Sequence, residues 1–304
     1  MDVYLPIANL AVNGLFIVLL GVGTGIMSGL FGVGGGFLTT PLLIFYGIPP
    51  TVAAASAATQ VTGASVSGVF AHSRNDGVDF QLGLVTVAGG MFGALIGAGL
   101  FALLKSIGQI DTVINILYVL LLGTIGGLMG REALQELLPH LKDASKSAAK
   151  RRHHPMIASL PYRWRFYRSG LYISPIAPLV LGIVVGILTM LMGVGGGFIM
   201  VPAMLYILGM SARVVVGTSL FNILFITMLV TMVHAFTTQA VDIVLAGLLL
   251  LGSVIGAQVG TRIADFAKPE VLRLLLAAIV LAIALRMAFG LGVRPDEVYT
   301  VVPL

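Results

Sequence analysis

The chain has 304 residues, of which 58% are hydrophobic and only 10% are charged, and its mean hydropathy is +1.06. This composition excludes a soluble globular protein, because too few charged groups are available to cover a water-exposed surface. The apolar runs are about 20 residues long and lack the alternating polarity of membrane β-barrel strands. The absence of cysteine excludes disulfides and cysteine-ligated metal sites. We therefore expect an all-α integral membrane protein.

Positive charge is concentrated in one stretch of a chain whose formal net charge is +5. Nine of the 17 Lys and Arg residues fall between Arg131 and Arg168. Such a block could bind nucleic acid, but beside apolar spans it is more typical of a cytoplasmic loop that faces anionic lipid headgroups. We predict a basic cytoplasmic loop at residues 130–174, with Trp164 as an interfacial anchor and with no nucleic-acid partner.

The apolar runs, taken in chain order, predict eight long helices. They lie near residues 8–31, 51–72, 80–104, 111–129, 175–193, 211–235, 242–265 and 270–290. Residues 1–15 contain no Lys or Arg and no cleavage site of a signal peptide, so we assign them to the first span. A glycine cluster and a short apolar piece follow the first and fifth runs, and these pieces, at 38–47 and 199–209, are too short to cross a bilayer.

Two segments of the chain repeat one another at a nearly constant offset. The motif Gly-Val-Gly-Gly-Gly-Phe begins at Gly32 and again at Gly193. Matching residues continue through the following helices with two one-residue insertions: Gln60 corresponds to Asn222 after the first and Asp79 to Asp242 after the second. This regularity predicts two homologous halves. The predicted parts are membrane repeat 1 (1–129), the basic loop (130–174), membrane repeat 2 (175–290) and a C-terminal tail (291–304).

The charge distribution predicts how the halves are oriented. If each glycine cluster forms the tip of a re-entrant hairpin, each half has three transmembrane helices and the second half is inverted. With the loop at 130–174 inside, only Lys105, Arg286 and Arg294 lie outside, and the last two are the weak point of the assignment. Four full crossings per half would instead leave Arg74 outside. We therefore predict two inverted-topology repeats with both termini in the periplasm.

The glycine clusters are the strongest candidates for a binding site. Three adjacent glycines expose backbone N–H groups, and the short helices after them direct the positive ends of their dipoles towards the middle of the membrane. This arrangement suits a small anion. A nucleotide-binding loop is excluded because no strand precedes the motif and no Gly-Lys-Ser/Thr ends it. The predicted backbone donors are Gly34, Gly35, Gly36, Gly195, Gly196 and Gly197.

Polar side chains in the second long helix of each half are predicted to complete this site. Neutral donors could bind an oxyanion and release it again, although they could equally hydrogen-bond neighbouring helices. The substrate-binding candidates are Ser56, Thr59 and Gln60 in the first half and Thr218, Ser219 and Asn222 in the second.

Other repeated residues have different expected roles. His72 and His234 are candidates for proton coupling because imidazole titrates near neutral pH, although an interfacial His is more often only a polar tip. Asp79 and Asp242 are expected to cap helices. A further set of regularly spaced glycines is expected to form contacts between helices: Gly89, Gly93, Gly97, Gly252, Gly256 and Gly260.

The duplicated glycine motif resembles the TauE/SafE-type sulfite and sulfonate exporter family, the four-toluene-sulfonate uptake permease group. The resemblance is carried by the residues from Gly25 to Pro41 and from Gly186 to Pro202, with Met190 where the first copy has Gly29. It covers nearly the whole chain except the loop at 130–174. It implies transport of sulfite, sulfonates such as sulfoacetate, thiosulfate or other organosulfur and carboxylate anions across the bacterial inner membrane.

The expected function is that of a secondary transporter in the cell inner membrane. We expect it to export a small sulfur-containing anion by alternating access, with no cofactor and no metal, and the sequence leaves open proton coupling and a homo-oligomer. A passive anion channel and an importer of another small organic anion are the alternatives. An intramembrane enzyme is disfavoured, because carboxylates in the middle of the spans and metal-ligand spacings are missing.

Overall fold

The computed structural model describes residues 2–31, 34–74, 77–137, 162–264 and 269–292. Three predicted features lie partly outside the described residues: the first glycine motif, at Gly32 and Val33; the basic loop, at 138–161; and the C-terminal tail, at 293–304.

Within the described residues, each half of the chain contains a β-hairpin followed by five helices. The first half contains β1 (Asp2–Leu5), β2 (Leu10–Asn13), α1 (Gly14–Phe31), α2 (Gly36–Phe45), α3 (Pro50–Arg74), α4 (Phe80–Ser106) and α5 (Ile110–Leu137). The second contains β3 (Trp164–Phe166), β4 (Leu171–Ile173), α6 (Ile176–Met192), α7 (Gly197–Pro202), α8 (Ala212–Val233), α9 (Ile243–Ala264) and α10 (Pro269–Gly292). Helices α7 and α8 continue into π-helical turns at Ala203–Ile207 and His234–Thr238.

The N-terminal residues form a hairpin, so the prediction that they belong to the first span is wrong. Leu5 pairs with Leu10, and the chain reverses through Asn9, which has a φ of 56° and is one of the residue types that tolerate this conformation. The buried side chains of Leu5 and Val12 pack in one cluster with Ile17 of α1. This apolar anchoring gives the segment the hydropathy of a helix start. The second hairpin precedes α6 in the same way and lies inside the predicted loop.

Five of the described helices are long and apolar enough to cross a membrane. These segments are Phe80–Ser106, Ile110–Arg131, Val214–Thr238, Ile243–Gly260 and Leu274–Gly292. Helix α3 has 25 residues but does not belong to this group, because its Ser, Thr, Gln and His residues lower its hydropathy. Helices α1, α2, α6 and α7 are also apolar but are shorter than these five. The predicted helices are therefore confirmed, although α1 begins later and α5 extends further than expected.

Each long helix packs against a helix of the other half, and the same pairs recur when the two halves are interchanged. Helix α1 packs on α9, and its counterpart in the second half, α6, packs on α4. Helix α3 packs on α8 and α5 packs on α10, so these two pairs join equivalent helices. Exchanging the halves therefore leaves the packing pattern unchanged, as a pseudo-two-fold axis requires.

The two hairpins lie at opposite ends of α4. Asp79, immediately before α4, accepts a 2.9 Å hydrogen bond at Oδ2 from an amide in the β3–β4 turn. At the other end of α4, Lys105 Nζ lies 3.5 Å from the carbonyl oxygen of Thr238. Asp242, a few residues further on, accepts a 3.0 Å hydrogen bond from the amide of Ile7 in the β1–β2 turn. The 27 residues of α4 separate the two turns by about 40 Å, at 1.5 Å per residue.

Helices α1 and α2 form a helical hairpin. Phe16, near the start of α1, stacks on Tyr46, just after α2, with ring centroids 4.8 Å apart. The amide of Asn13 also donates a 3.2 Å hydrogen bond to Tyr46 Oη. The chain therefore enters and leaves this helix pair at the same end, with the first glycine cluster at the tip.

Glycines allow the paired helices to approach closely. A Cβ atom at Gly256 of α9 would overlap the backbone oxygen of Val22 in α1, and one at Gly93 of α4 would overlap that of Ile183 in α6. The other predicted contact glycines, Gly89, Gly97, Gly252 and Gly260, face the same two helices. Their predicted role as helix contacts is confirmed.

Two glycines of α4 provide a matched test of this packing. We expect Gly93→Ala to lower the free energy of unfolding by about 1–3 kcal/mol, because the clash is with backbone and cannot be relieved by a rotamer change. Gly99→Ala should raise it by about 0.5–1 kcal/mol, since nothing lies within 4 Å of a Cβ there and Ala is the better helix former. Thermal unfolding of both purified variants measures the difference, and equal stability would contradict the packing.

Candidate functional site

The two glycine clusters meet at the centre of the protein. Phe37 and Phe198, the residues that end the two motifs, stack with ring centroids 4.5 Å apart and an angle of 6° between the rings. Val61 of α3 and Ile223 of α8, which are repeat counterparts, both lie beside the clusters: a Cβ atom at Gly195 would be 2.6 Å from Val61 Cγ1 and 3.3 Å from Ile223 Cγ2. The structure thus brings together segments that are 161 residues apart in sequence.

The short helices begin at these clusters. The carbonyl of Gly35 accepts hydrogen bonds from Leu38 and Thr39, both at 3.2 Å, so the amides of Gly36 and Phe37 precede the hydrogen-bond ladder of α2. The carbonyl of Gly196 accepts in the same way from Ile199 and Met200, at 3.1 and 2.8 Å. Both positive helix ends therefore start at the shared centre of the protein.

The glycines of the two clusters do not all have the same role. Gly34, Gly195 and Gly196 have φ values of 79°, 76° and 75°, a conformation that L side chains rarely adopt. A Cβ atom at Gly36 would lie 2.7 Å from Val61 Cγ2, and one at Gly196 would overlap Val185 Cγ1. Gly35 is different: its φ is −68°, and a Cβ there would be 3.1 Å from the carbonyl oxygen of Thr24. Gly35 is therefore the position where a small side chain meets the least resistance.

Three buried polar side chains near the clusters have atoms without hydrogen-bond partners in the described part of the chain. Gln60, Ser219 and Asn222 are at most 1% exposed. The atoms concerned are Gln60 Oε1, Ser219 Oγ and both amide atoms of Asn222. Burying a polar atom without a partner costs about 1–3 kcal/mol, which a protein normally avoids. Residues that retain this cost are the best candidates for ligand contacts.

Neighbours of Asn222 on α8 contact the second glycine cluster and α4. The next residue, Ile223, lies beside Gly195, and Ile226, one turn later, reaches Gly90 of α4. On the first half, Gln60 has the equivalent position on α3, next to Val61 and one turn before the contact of Gly63 with α9. Gln60 and Asn222 are thus the residues before Val61 and Ile223, which contact the glycine clusters, one in each half.

The other predicted polar residues already have partners. Ser56 Oγ accepts a 3.2 Å hydrogen bond from the amide of Asp242, and its counterpart Thr218 accepts one of 2.9 Å from the amide of Asp79. Thr59 Oγ1 donates to the carbonyl of Ala55 at 3.1 Å. The hydroxyls of Ser56 and Thr218 thus link the two halves, and that of Thr59 also lies 3.4 Å from Thr231 Oγ1 on α8. Among the six predicted polar residues, the structure thus separates Ser56, Thr59 and Thr218, which have hydrogen-bond partners, from Gln60, Ser219 and Asn222, which have atoms without partners.

The two aspartates are helix caps, as predicted, and they also clamp the hairpins. Asp79 Oδ1 accepts from the amide of Leu82, and Asp242 Oδ1 accepts from that of Leu245, both at 3.1 Å. Their Oδ2 atoms bind the hairpin of the opposite half. Nothing in the sequence indicates this second role, because an acidic residue at a helix start is already explained as a cap.

His234 lies at the start of a π-helical turn and is fully buried. Its Nε2 is 3.0 Å from the carbonyl oxygen of Met190, so Nε2 carries a proton and donates it, because a carbonyl can only accept. Its Nδ1 is 3.0 Å from Thr238 Oγ1. His234 is therefore not an exposed polar side chain at the membrane interface. Its counterpart His72 lies in the last turn of α3, and its side chain is outside the described residues.

The chain matches one family profile and several probable membrane transporters. The profile of the family described as "Sulfite exporter TauE/SafE" matches residues 17–287. The chain is 27% identical to the probable membrane transporter protein YjnA of Bacillus subtilis, over 89% of this chain and 98% of that protein. It is 24% identical to YunE of the same organism, over 90% and 97%, and 26% identical to a probable membrane transporter protein of Xylella fastidiosa, over 88% and 93%. No solved structure matches the chain significantly.

Proposed function

Because the chain belongs to the sulfite exporter TauE/SafE family, whose members are multi-pass membrane transporters and not enzymes, we propose that it exports a small sulfur-containing anion. The proposed substrate is sulfite or an organosulfonate such as sulfoacetate. The proposed location is the cell inner membrane, and the proposed mechanism is alternating access around the two glycine clusters.

The observation that carries this proposal is the pair of buried donors beside the second cluster. Asn222 Nδ2 and Ser219 Oγ have no partner in the described part of the chain, and both could donate to an oxyanion. The amides of Gly197 and Phe198, which precede the ladder of α7, would add backbone donors. No described buried residue is Lys or Arg, so the charge would be met by dipoles and neutral groups, which favours release as well as binding.

A ligand screen tests the choice of substrate. We expect sulfite or sulfoacetate to raise the unfolding temperature of the purified protein, because a ligand that binds only the folded state stabilises it. Acetate is the control without sulfur, and taurine and sulfate show which other sulfur oxyanions the site accepts. Stabilisation by acetate alone would contradict a sulfur oxyanion as the substrate.

Alternating access is supported by the arrangement of the halves. The two β-hairpins lie at opposite ends of α4. The pattern of helix contacts is unchanged when the two halves are interchanged. Two inverted repeats around a central site can rock between inward-open and outward-open states. In this arrangement, α1–α2 and α6–α7 are re-entrant hairpins that enter from opposite faces, and both termini are periplasmic.

Single cysteines test this topology, since the chain contains none of its own. We expect a cysteine replacing Gln109, in the turn between α4 and α5, to react with a membrane-impermeant reagent in intact cells. A cysteine replacing Tyr167, a side chain that is 78% exposed in the second hairpin, should react only after the membrane is opened. Labelling of both from the same side would contradict the inverted arrangement.

We further propose that the two histidines couple transport to protons. His72 and His234 occupy equivalent positions in the two halves, near opposite ends of the bundle under the inverted arrangement. We expect liposomes with His72→Gln/His234→Gln to lose uptake driven by a pH gradient, because glutamine keeps hydrogen bonding but does not titrate in this range. Wild-type uptake in this variant would exclude a histidine relay and favour protons carried on the substrate.

A further inference from the structure

A polar cavity lies near one end of the bundle, apart from the glycine clusters. Its volume is about 260 Å³, and it is formed where the end of α2 meets α5 and α10. Arg286 and Asn115 supply its polar groups, and Ile44 and Met287 are among its apolar walls. No polar residue proposed for the anion site contributes to it, so this cavity calls for a separate explanation.

Arg286 is an unusual residue for its position. It lies within the apolar segment Leu274–Gly292, one of the five helices able to span a membrane. A cation in such a segment is costly unless it is paired or reaches a polar region. Its guanidinium carbon lies 5.5 Å from the ring centroid of Phe45, and among the described residues no carboxylate lies within ion-pairing distance. The cation–π contact fixes the side chain at the cavity and leaves the hydrogen-bonding edge of the guanidinium available for a ligand.

Asn115 provides the second observation. Its Oδ1 atom is buried and has no hydrogen-bond partner in the described part of the chain. The nearest acidic residue on the same face of α5 is Asp111, one turn earlier, and it is hydrogen-bonded to the backbone of Thr51. A buried carbonyl oxygen that lacks a donor, next to a guanidinium that lacks an anion, indicates a ligand carrying both groups.

We infer that this cavity binds an oxyanion that also carries a hydrogen-bond donor, with Arg286 on the oxyanion and Asn115 Oδ1 accepting from the donor. A phospholipid headgroup with a phosphate and a primary ammonium has this chemistry, and so does a free protonated phosphate. The cavity is large enough for such a group. The apolar walls at Ile44 and Met287 would contact the carbon atoms next to a headgroup phosphate.

The site lies at the far end of the helix that begins in the first glycine cluster. Phe45 is the last residue of α2, and Gly36 is its first, so ten residues connect the two places. A ligand that holds Arg286 over Phe45 therefore also holds one end of α2. The inference does not depend on which anion is transported, because it concerns a different cavity and is tested by binding.

Native mass spectrometry of the full chain, purified from bacterial membranes, tests the lipid source. We expect wild type to retain phosphatidylethanolamine and Arg286→Gln to retain about tenfold less, because the charged bidentate partner is lost. Arg262→Gln is the control, since Arg262 is an arginine in the last turn of another apolar helix, α9, and lies outside this cavity. Asn115→Leu should remove the preference for phosphatidylethanolamine over phosphatidylcholine, whose quaternary ammonium cannot donate.

Calorimetry with delipidated protein and inorganic phosphate tests the free oxyanion. Binding that is present in wild type and Arg262→Gln but lost in Arg286→Gln would assign the site to a soluble oxyanion. Arg286→Lys keeps the charge without the bidentate geometry and should bind with intermediate affinity, which separates loss of the site from loss of the fold. The inference is overturned if Arg286→Gln matches wild type in both lipid retention and phosphate binding.

Discussion

Asn222→Leu is expected to abolish transport of the anion while making the protein more stable. The buried amide of Asn222 has no partner in the described part of the chain, so its burial costs the folded state about 1–3 kcal/mol. Leucine has nearly the same shape and removes that cost, but it cannot donate to a ligand. We expect the free energy of unfolding to rise by about 1–2 kcal/mol. Thermal unfolding and liposome transport assays on the same preparation measure both effects.

Thr218→Val is the matched control on the same helix. Thr218 Oγ1 accepts a hydrogen bond from the amide of Asp79, so its removal leaves a buried donor unpaired. We expect this variant to lose about 1–3 kcal/mol of stability and to keep its substrate affinity. If Asn222→Leu instead destabilises the protein and retains transport, Asn222 is a contact between helices and not part of the site.

Gly35→Val is expected to weaken substrate binding while the protein stays folded. A Cβ atom at Gly35 meets only the carbonyl oxygen of Thr24 at 3.1 Å and otherwise lies 3.7 Å from Ser28. The larger side chain would crowd an anion away from the amides that precede α2. Each hydrogen bond to a charged group is worth about 1.5–3 kcal/mol, so the affinity should fall about 10- to 100-fold. Binding and thermal unfolding are measured together.

Gly196→Val should behave differently, although it is the repeat counterpart of Gly35→Val. Its φ of 75° and the overlap with Val185 Cγ1 mean that any side chain strains the backbone. We therefore expect Gly196→Val to prevent folding. Gly127→Val is the control, because nothing lies within 4 Å of a Cβ atom at Gly127. Wild-type affinity in a folded Gly35→Val protein would remove the first cluster from the site.

The sequence predicted the features that depend on local pattern. Helix positions follow from long apolar runs, and the duplication follows from the recurrence of the glycine motif. The contact role of Gly93 and Gly256 was also predictable, because regularly spaced small residues form one face of a helix. These features require no knowledge of which segments meet in three dimensions.

The features that the sequence did not predict depend on contacts between the halves. Ser56 and Gln60 are polar residues one turn apart on α3, and only the position of Asp242 in the other half shows that Ser56 is already satisfied. The first hairpin was missed because Leu5, Leu10 and Val12 give its short strands the hydropathy of a span. The burial of His234 likewise follows from Met190 on a different helix.

The crossed aspartate clamps follow from the same arrangement. Asp79 of the first half holds the second hairpin, and Asp242 of the second half holds the first hairpin. Each hairpin is therefore fixed to helices of the opposite half. In the proposed alternating access, each hairpin would therefore move with the helices of the opposite half that hold it.

Counterflow in proteoliposomes tests most directly whether the protein is a carrier for a sulfur oxyanion. The vesicles are loaded with unlabelled sulfite and diluted into a trace of radiolabelled sulfite. A carrier exchanges its substrate through a site that is exposed to each side in turn, so the label should accumulate transiently above its equilibrium level, and Asn222→Leu should abolish this accumulation. Simple equilibration of the label without accumulation, or the same time course in Asn222→Leu, would contradict a carrier built around this site.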